Sequence, residues 1–350
     1  MQEKTRAEKI AEVLDNLGCP KYRLAQVYEA IYKKGFREYS AISTLPMAVR
    51  NRLRAELGEV LVLKNIHETK SRQALKILFE TKDGYRIETV RMLFNPTEER
   101  PEEHESLCIS SQCGCALGCS FCATGKIGFR KNLTPDEIAD QVLYFRQIGD
   151  TIGSISLMGM GEPFANPHLF DALEILTSPK LMGISPRRLS VSTIGIVPGI
   201  QRLIKEYPNV NLSFSLHSPF PDQREKLMPI ARTYPTDQVM KAVDQYVEKT
   251  NHKAFIAYIL LKNENDSAEH AQALASLIKE RGRKSYLYHV SLVRFNPGPA
   301  ASQYEKPTLE AISKFRTILD RNGIKNTLRQ CFGVEVKAAC GQLYAAYARQ

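Results

Sequence analysis

Along residues 1–57 apolar positions recur every three or four residues: Ile10, Val13 and Leu14, then Leu24, Val27, Tyr28 and Ile31. That is the period of helices with one buried face, so this stretch is expected to form a small helical domain. Its other faces carry Lys21, Arg23, Lys33, Lys34, Arg37, Arg50, Arg52 and Arg54, by default a solvated helix face, and a docking module if the rest of the chain acts on a nucleic acid. Over 58–105 the pattern becomes strand-like. Val60-Leu61-Val62-Leu63, the run 74–79, a turn at Asp83-Gly84 and the run 85–90 predict a short antiparallel meander. The charged stretch 95–105, with Pro96 and Pro101, reads as a linker.

From residue 106 to 350 strands and helices alternate. Apolar runs at 107–111, 154–158, 187–192, 210–216, 253–261 and 287–294 are each followed by a helical period, at 134–148, 167–177, 197–206, 235–250, 267–281 and 308–321. Six such units predict an α/β fold with a parallel sheet covered by helices, and their regular count favours a partial (β/α)6 barrel. In a parallel barrel the segments after the strands surround one mouth.

Composition narrows the partners. The chain has 350 residues, 43% hydrophobic and 25% charged, the balance of a globular protein. A surplus of ten positive charges suits a polyanionic partner. No apolar run approaches the roughly 18 residues of a membrane span, and Met1-Gln2-Glu3-Lys4 is too charged for a signal peptide. A cytoplasmic protein without a membrane partner is expected, in a compartment that keeps thiols reduced.

Five of the eight cysteines fall between 108 and 122. Cys115, Cys119 and Cys122 are separated by three residues and then two, on a loop with Gly114 and Gly118. Three thiolates can hold a four-iron cluster and leave one iron open for chemistry. The other readings are a zinc knuckle or buried free thiols; a structural zinc site wants a second close pair of ligands, and none follows. At the same predicted mouth lie Gly159, Gly161 and Glu162, then Ser192, then Ser215, Leu216 and His217, then Asn296. Taken singly, the glycines read as a tight turn, His217 as a core histidine and Asn296 as a turn former before proline. Their convergence on one face points to a shared site, where glycines admit a close ligand and Glu162 accepts from an ammonium group.

The cysteine triad with Phe121 before Cys122 resembles the signature of the radical S-adenosylmethionine enzymes. With Gly-Met-Gly-Glu-Pro at 159–163, Ser-Leu-His at 215–217 and Ala-Ala-Cys-Gly-Gln-Leu at 338–343, nearly the whole chain resembles the RlmN and Cfr family, which modifies an adenosine in the peptidyl-transferase centre of 23S ribosomal RNA. The resemblance implies a [4Fe-4S] cluster on Cys115, Cys119 and Cys122, with S-adenosylmethionine held by Gly161, Glu162, Ser192, Ser215, Leu216, His217 and Asn296. It implies that Cys340 is methylated, that Cys108 is its partner in a transient disulfide, and that Glu88, otherwise an ordinary strand glutamate, accepts a proton. Two S-adenosylmethionine molecules would serve each turnover, one for Cys340 and one for the radical. Naked or immature 23S ribosomal RNA is the expected substrate, a flavodoxin-type system the electron donor, and a monomer the acting unit.

Ser-Gln-Cys-Gly-Cys at 111–115, Ser-Thr-Ile-Gly-Ile at 192–196, Phe-Ser-Leu-His-Ser-Pro at 214–219 and Val-Arg-Phe-Asn-Pro at 293–297 resemble the Cfr branch, which methylates carbon 8 and protects the ribosome from antibiotics. Pro163 resembles the RlmN branch, which methylates carbon 2, and Glu335-Val336-Lys337 departs from the acidic residues usual before Ala-Ala-Cys. Arg187 and Arg188 join the basic amino-terminal helices as candidate phosphate contacts. Cys19 reads as a buried structural thiol, while Cys113 and Cys331 receive no role. A protein of another class, a non-catalytic iron-sulfur RNA binder, would explain the triad and the charge but not Cys108, Cys340 or the glycine turn.

Overall fold

A computed structural model of the chain describes residues 4–96, 102–297, 303–330, 332 and 343. Three helices open it: α1 (Arg6–Asn16), α2 (Tyr22–Tyr28), which continues into a π-helical turn, and α3 (Met47–Leu57). Thr5 caps α1, accepting from the Glu8 amide while the Glu8 carboxylate accepts from the Thr5 amide, so two end groups that lack helical partners are satisfied reciprocally. A meander follows, of β1 (Leu63–Lys70), β2 (Ala74–Thr81) and β3 (Arg86–Phe94). β1 lies after the apolar run at 60–63 rather than on it. It is an edge strand with most of its side chains at least partly exposed, so its own sequence carries little apolar signal.

β4 (His104–Ile109) begins inside the segment read as a linker and pairs antiparallel with β3, Val90 opposite Cys108. A two-residue hairpin, β5 (Gln112–Cys113) with β6 (Lys131–Asn132), encloses the short helix α4 (Ala123–Ile127). Then come α5 (Pro135–Gln147), β7 (Ile152–Leu157), α6 (Leu169–Thr177), β8 (Leu189–Thr193), α7 (Val197–Glu206) and β9 (Asn211–Ser215). The chain goes on through α8 (Pro221–Leu227), α9 (Thr236–Thr250), β10 (Ala254–Leu260), α10 (Ala268–Lys279), β11 (Tyr288–Arg294), α11 (Leu309–Arg321) and β12 (Asn326–Leu328).

Among the described residues all strands except the small hairpin form one sheet of ten, in the order β1-β2-β3-β4-β7-β8-β9-β10-β11-β12. From β4 to β12 every pairing is parallel, which makes the expected α/β sheet with helices between its strands. The meander extends this sheet past β4. Five elements had no counterpart in the sequence pattern: β5, β6 and the short α4 between them, β12, only three residues long, and α8, in a stretch rich in proline. Pro221 stands at the first position of α8, where its missing N–H costs nothing. No helix among the described residues is long and apolar enough to cross a membrane.

The amino-terminal helices are welded to α5. Arg6 donates to Asp140 through its guanidinium and to Asp136 through its backbone amide at 2.6 Å; its side chain is 5% exposed and that of Asp140 0%. Asp140 also accepts from the Val62 amide at 2.7 Å, so one carboxylate joins the helical domain, the approach to the meander and the barrel. Burial alone would pull the Arg6 guanidinium down, but Asp140, Tyr32 and Asp136 together hold it firmly protonated. Removing one partner of such a pair strands a charge, at a cost of about 3–5 kcal/mol. Arg6→Met is therefore expected to lower the unfolding free energy by about that much, and Arg6→Met with Asp140→Leu to recover much of the loss. Denaturant unfolding of the two variants tests this; equal loss in both would refute a coupled pair.

Candidate active site

On β7, β8 and β9 the inner face of the sheet is built of small hydroxyl side chains, while β10 adds Phe255, Ala257 and Ile259. The hydroxyl side chains alternate with buried Ile155, Leu157, Val191, Leu212 and Phe214, which face the helices. Register places Cys108, Ser156 and Ser190 abreast on three neighbouring strands, and Ser215, Ala257, Ser291 and Thr327 abreast on four. Barrels of this type usually fill the interior with branched apolar residues. Here a cavity of about 540 Å³ remains, open at the carboxyl ends of the strands. The period-two serines were a readable signal that the sequence reading did not use.

Cys115, Cys119 and Cys122 line this cavity, as do Cys108, Gly161, Glu162, Ser192, Ser215, His217 and Asn296. Leu216 is fully buried outside the lining and acts through its backbone, its amide donating to the Ala257 carbonyl at 3.0 Å. Glu88 does not line the cavity; alternation along β3 puts it on the same face as Met92 and Phe94, which do, and it pairs with Lys76 at 2.9 Å. Cys340 lies outside the described residues, as does Cys331. Phe332 and Leu343, on either side of Cys340 in sequence, both line the cavity.

Two loops make the mouth and are stitched into one unit. The Gly159 amide donates to the Ile109 carbonyl at 3.0 Å, the Met160 amide to Ser110 Oγ at 2.9 Å, and the Glu162 amide to Gln112 Oε1 at 2.9 Å. A Cβ on Gly159 would lie 2.7 Å from the Ile109 carbonyl oxygen, and one on Gly161, whose φ is +95°, 2.5 Å from Gln112. Glycine is required at both positions by the neighbouring cysteine loop as well as by the turn. Across the loop, a Cβ on Gly114, φ +71°, would meet the Gly128 carbonyl oxygen at 1.8 Å. Gly118, φ +61°, has open space around it.

Glu162 is 4% exposed. Its carboxylate accepts from the Ile194 amide at 3.0 Å and from the Phe164 amide at 3.3 Å. Burial pushes it up to about 7 against those hydrogen bonds, which suits an acceptor waiting for a cationic group. His217 takes a left-handed conformation, φ 59°, its Nδ1 accepts from the Ile259 amide at 3.0 Å, and Phe121 packs edge-on against it at 5.0 Å. Burial, with Arg224 and Arg329 near, pushes its pKa down to about 3. It is a neutral, fixed imidazole with Nε2 carrying the hydrogen, and Phe121 of the cysteine motif is its packing partner.

Behind the cysteines lies a separate apolar cluster of Phe121, Leu227, Met228, Ile259, Leu261, Val293 and Phe295. The Ser120 amide and hydroxyl both donate to the Leu227 carbonyl, at 2.9 and 3.2 Å, so α8 braces the loop. Arg224 on α8 is 0% exposed and gives its donors to the carbonyls of Ile194 at 2.7 Å, Leu216 at 3.2 Å and Tyr234 at 3.4 Å, with its guanidinium 5.1 Å from the Phe214 ring. Burial pulls it down to about 10, against the pull of the Cys119 thiol. Burial and mutual proximity push the thiols the other way, Cys115 to about 11 and Cys119 well above the ordinary range.

Three soft donors on one loop, dry on one side and open to a cavity on the other, fit a cluster with one exposed metal position. Among the described residues no three such donors are drawn together around a single ion. The thiolate ligands of a cubane bind different irons, so a wider spacing is the one that group needs.

The family model of the Radical SAM superfamily matches residues 109–275, from the end of β4 through α8 and into α10. The chain is a radical S-adenosylmethionine enzyme. Ribosomal RNA large subunit methyltransferase Cfr of Staphylococcus warneri is 48% identical over 346 residues, 98% of this chain and 97% of that one, and the Cfr of Clostridium botulinum strain Loch Maree is 47% identical over 98% of each. A radical SAM methyltransferase from Sphaerobacter thermophilus superposes with a TM-score of 0.88 at 39% identity, covering 98% of both chains. The chain belongs to the Cfr family of these methyltransferases.

The close approach at Gly114 yields a direct test. Gly114→Ala, which must push away the Gly128 carbonyl at the end of α4, is expected to lose most of its iron after anaerobic reconstitution. Gly118→Ala, strained in φ by about 1–2 kcal/mol but unobstructed, keeps it. Iron per chain and the charge-transfer absorption near the visible edge read the difference; equal iron in both variants would refute a rigid loop.

Proposed function

We propose that this chain methylates carbon 8 of an adenosine in the peptidyl-transferase centre of 23S ribosomal RNA and thereby confers resistance to antibiotics that bind there. The observation that carries the reading is one cavity lined by the three cluster cysteines, Glu162 and Cys108, with residues flanking Cys340 on its wall. When bound, the cluster and S-adenosylmethionine supply the one-electron chemistry that activates an unreactive C–H bond. Cys115, Cys119 and Cys122 hold the cluster. Glu162 accepts from the cofactor's ammonium group, Ser192, Ser215 and Asn296 bond its polar edges, and His217 packs as a neutral donor.

Cys340 first takes a methyl group on sulfur by displacement. With one hydrogen of that methyl group removed by the cofactor's one-electron chemistry and the ring proton of the base lost with an electron, its carbon would join sulfur to base as a methylene; the Cys108 thiolate then attacks the sulfur of Cys340, the electron pair of the broken sulfur–carbon bond leaves with carbon, which takes up a proton to become the methyl group on the RNA, and the two cysteines form a disulfide. A two-electron reductant resets the pair. Glu88 serves as the proton acceptor for the base, and its place on the cavity face of β3 supports that role. The adenosine must leave its stack to enter the mouth, so RNA is read by shape, phosphate contacts and a splayed nucleotide. Naked or immature RNA presents such a nucleotide, and one chain acts alone.

The Cfr-like motifs and the Cfr names of the relatives support carbon 8, while Pro163 favours carbon 2. Mass spectrometry of the ribosomal RNA fragment from cells lacking their own carbon-2 enzyme, and expressing either this chain or Cys340→Ala, decides between them. Methylation at carbon 8 with the wild type and none with the variant is expected. Carbon 2 alone would move the chain to the RlmN reaction, and no methylation by cluster-loaded protein would favour a non-catalytic RNA binder.

A further inference from the structure

Several of the cations expected to dock RNA are engaged elsewhere or stand away from the mouth, while Lys21, Lys33 and Arg54 are exposed on the helical domain. Arg187 and Arg188 precede β8 and so stand at the amino ends of the strands, opposite the mouth. In the helical domain Arg23 is bonded to the Thr44 carbonyl, Arg37 to that of Gln147 and Arg50 to that of Ser40, while Arg52 pairs with Glu56 and Lys34 with Glu29.

A different surface lies beside the cysteine loop. Because β3 runs antiparallel to β4, the Asp83-Gly84 turn and Tyr85 lie at the same end of the sheet as the mouth. The hairpin of β5 and β6 joins them there: the Cys113 thiol donates to the Arg86 carbonyl at 3.2 Å, and Lys131 lies 5.7 Å from the Tyr85 ring. Lys131 is committed, to Asp83 at 2.8 Å and Glu137 at 3.0 Å, and braces the hairpin. Phe129 stands between Gly128, packed against Gly114, and Arg130, whose amide donates to the Cys113 carbonyl at 2.9 Å. Its backbone is thus fixed one residue from a cluster ligand, yet its ring is 45% exposed, as Tyr85 is 37% exposed. Lys82, Lys126 and Arg130, within three residues of one ring or the other along the chain, are exposed.

A single exposed phenylalanine needs no explanation. Two exposed rings, Phe129 on the braced hairpin and Tyr85 on the turn that Lys131 ties to it, with exposed cations close by in sequence, have the composition of a platform for unpaired nucleotides, where bases stack on aromatic faces and phosphates meet Lys and Arg. We propose that Tyr85, Phe129, Lys126 and Arg130 dock the RNA strand that flanks the target adenosine, Phe129 stacking on a neighbouring base and Arg130 neutralising a phosphate. This rests on RNA being the substrate and is independent of which carbon is methylated.

The test uses reconstituted, full-length protein and an RNA stem-loop carrying the target adenosine, with 2-aminopurine substituted in turn at each adjacent nucleotide. The wild type should bind and change the probe's fluorescence at one of these positions. Phe129→Ala should weaken binding roughly 5- to 100-fold and abolish that change. Phe129→Trp should restore both, while iron content and melting temperature hold. Arg130→Gln should flatten the plot of log affinity against log salt by about 0.7. Unchanged affinity and probe signal in Phe129→Ala, with wild-type protein that binds and methylates the fragment, would overturn the docking face alone. Wild-type protein that neither binds nor methylates it would overturn the RNA reading beneath. Loss of iron in Phe129→Ala would make the ring part of the loop's fold and also overturn the docking role.

Discussion

A buried guanidinium holds the mouth of this barrel together. Arg224 has no carboxylate within ion-pair distance among the described residues, and an uncompensated charge in so dry a place would be far too costly to keep. Three carbonyls compensate it, and they belong to the segment after β8, the segment after β9 and the turn before α9. One side chain thus sets the spacing of loops that the parallel sheet alone would leave independent. Because α8 also receives Ser120 of the cysteine loop, the same helix fixes the thiols relative to the cavity wall.

The opposite side of the mouth is fixed by backbone contact instead. The turn after β7 and the loop after β4 share hydrogen bonds at Gly159, Met160 and Glu162, at distances that only glycine permits. The cysteine loop is held between these two devices, a cation on one flank and a fused pair of turns on the other. Chemistry that depends on the relative position of three thiols and a carboxylate needs that kind of rigidity.

Much of this was legible in the chain. The alternation of apolar runs located every described barrel strand but β12 to within about three residues, because buried parallel strands carry a continuous apolar signal. The cysteine spacing and the glycine turn named the site, since few other uses demand those residue types so close together. What escaped was set by tertiary context. β1 is polar because it is an edge, and α8 hides behind prolines that suit its first turn; Arg187 and Arg188 lie at the amino end of β8, where the run 187–192 already put them. Arg224, whose partners are all carbonyls, offers no pattern in sequence at all.

The serine-lined interior has one further consequence. Most barrels are stabilised from within by interlocking apolar layers, whereas here serines replace much of that filling along β7, β8 and β9 and a cavity of about 540 Å³ remains. The cofactor then does part of the work of a hydrophobic core. A ligand held a hundredfold above its dissociation constant adds about 2.7 kcal/mol to the folded state, so loading and folding become a single coupled equilibrium. Starvation for iron or S-adenosylmethionine would act on the lifetime of the protein in the cell as well as on its turnover.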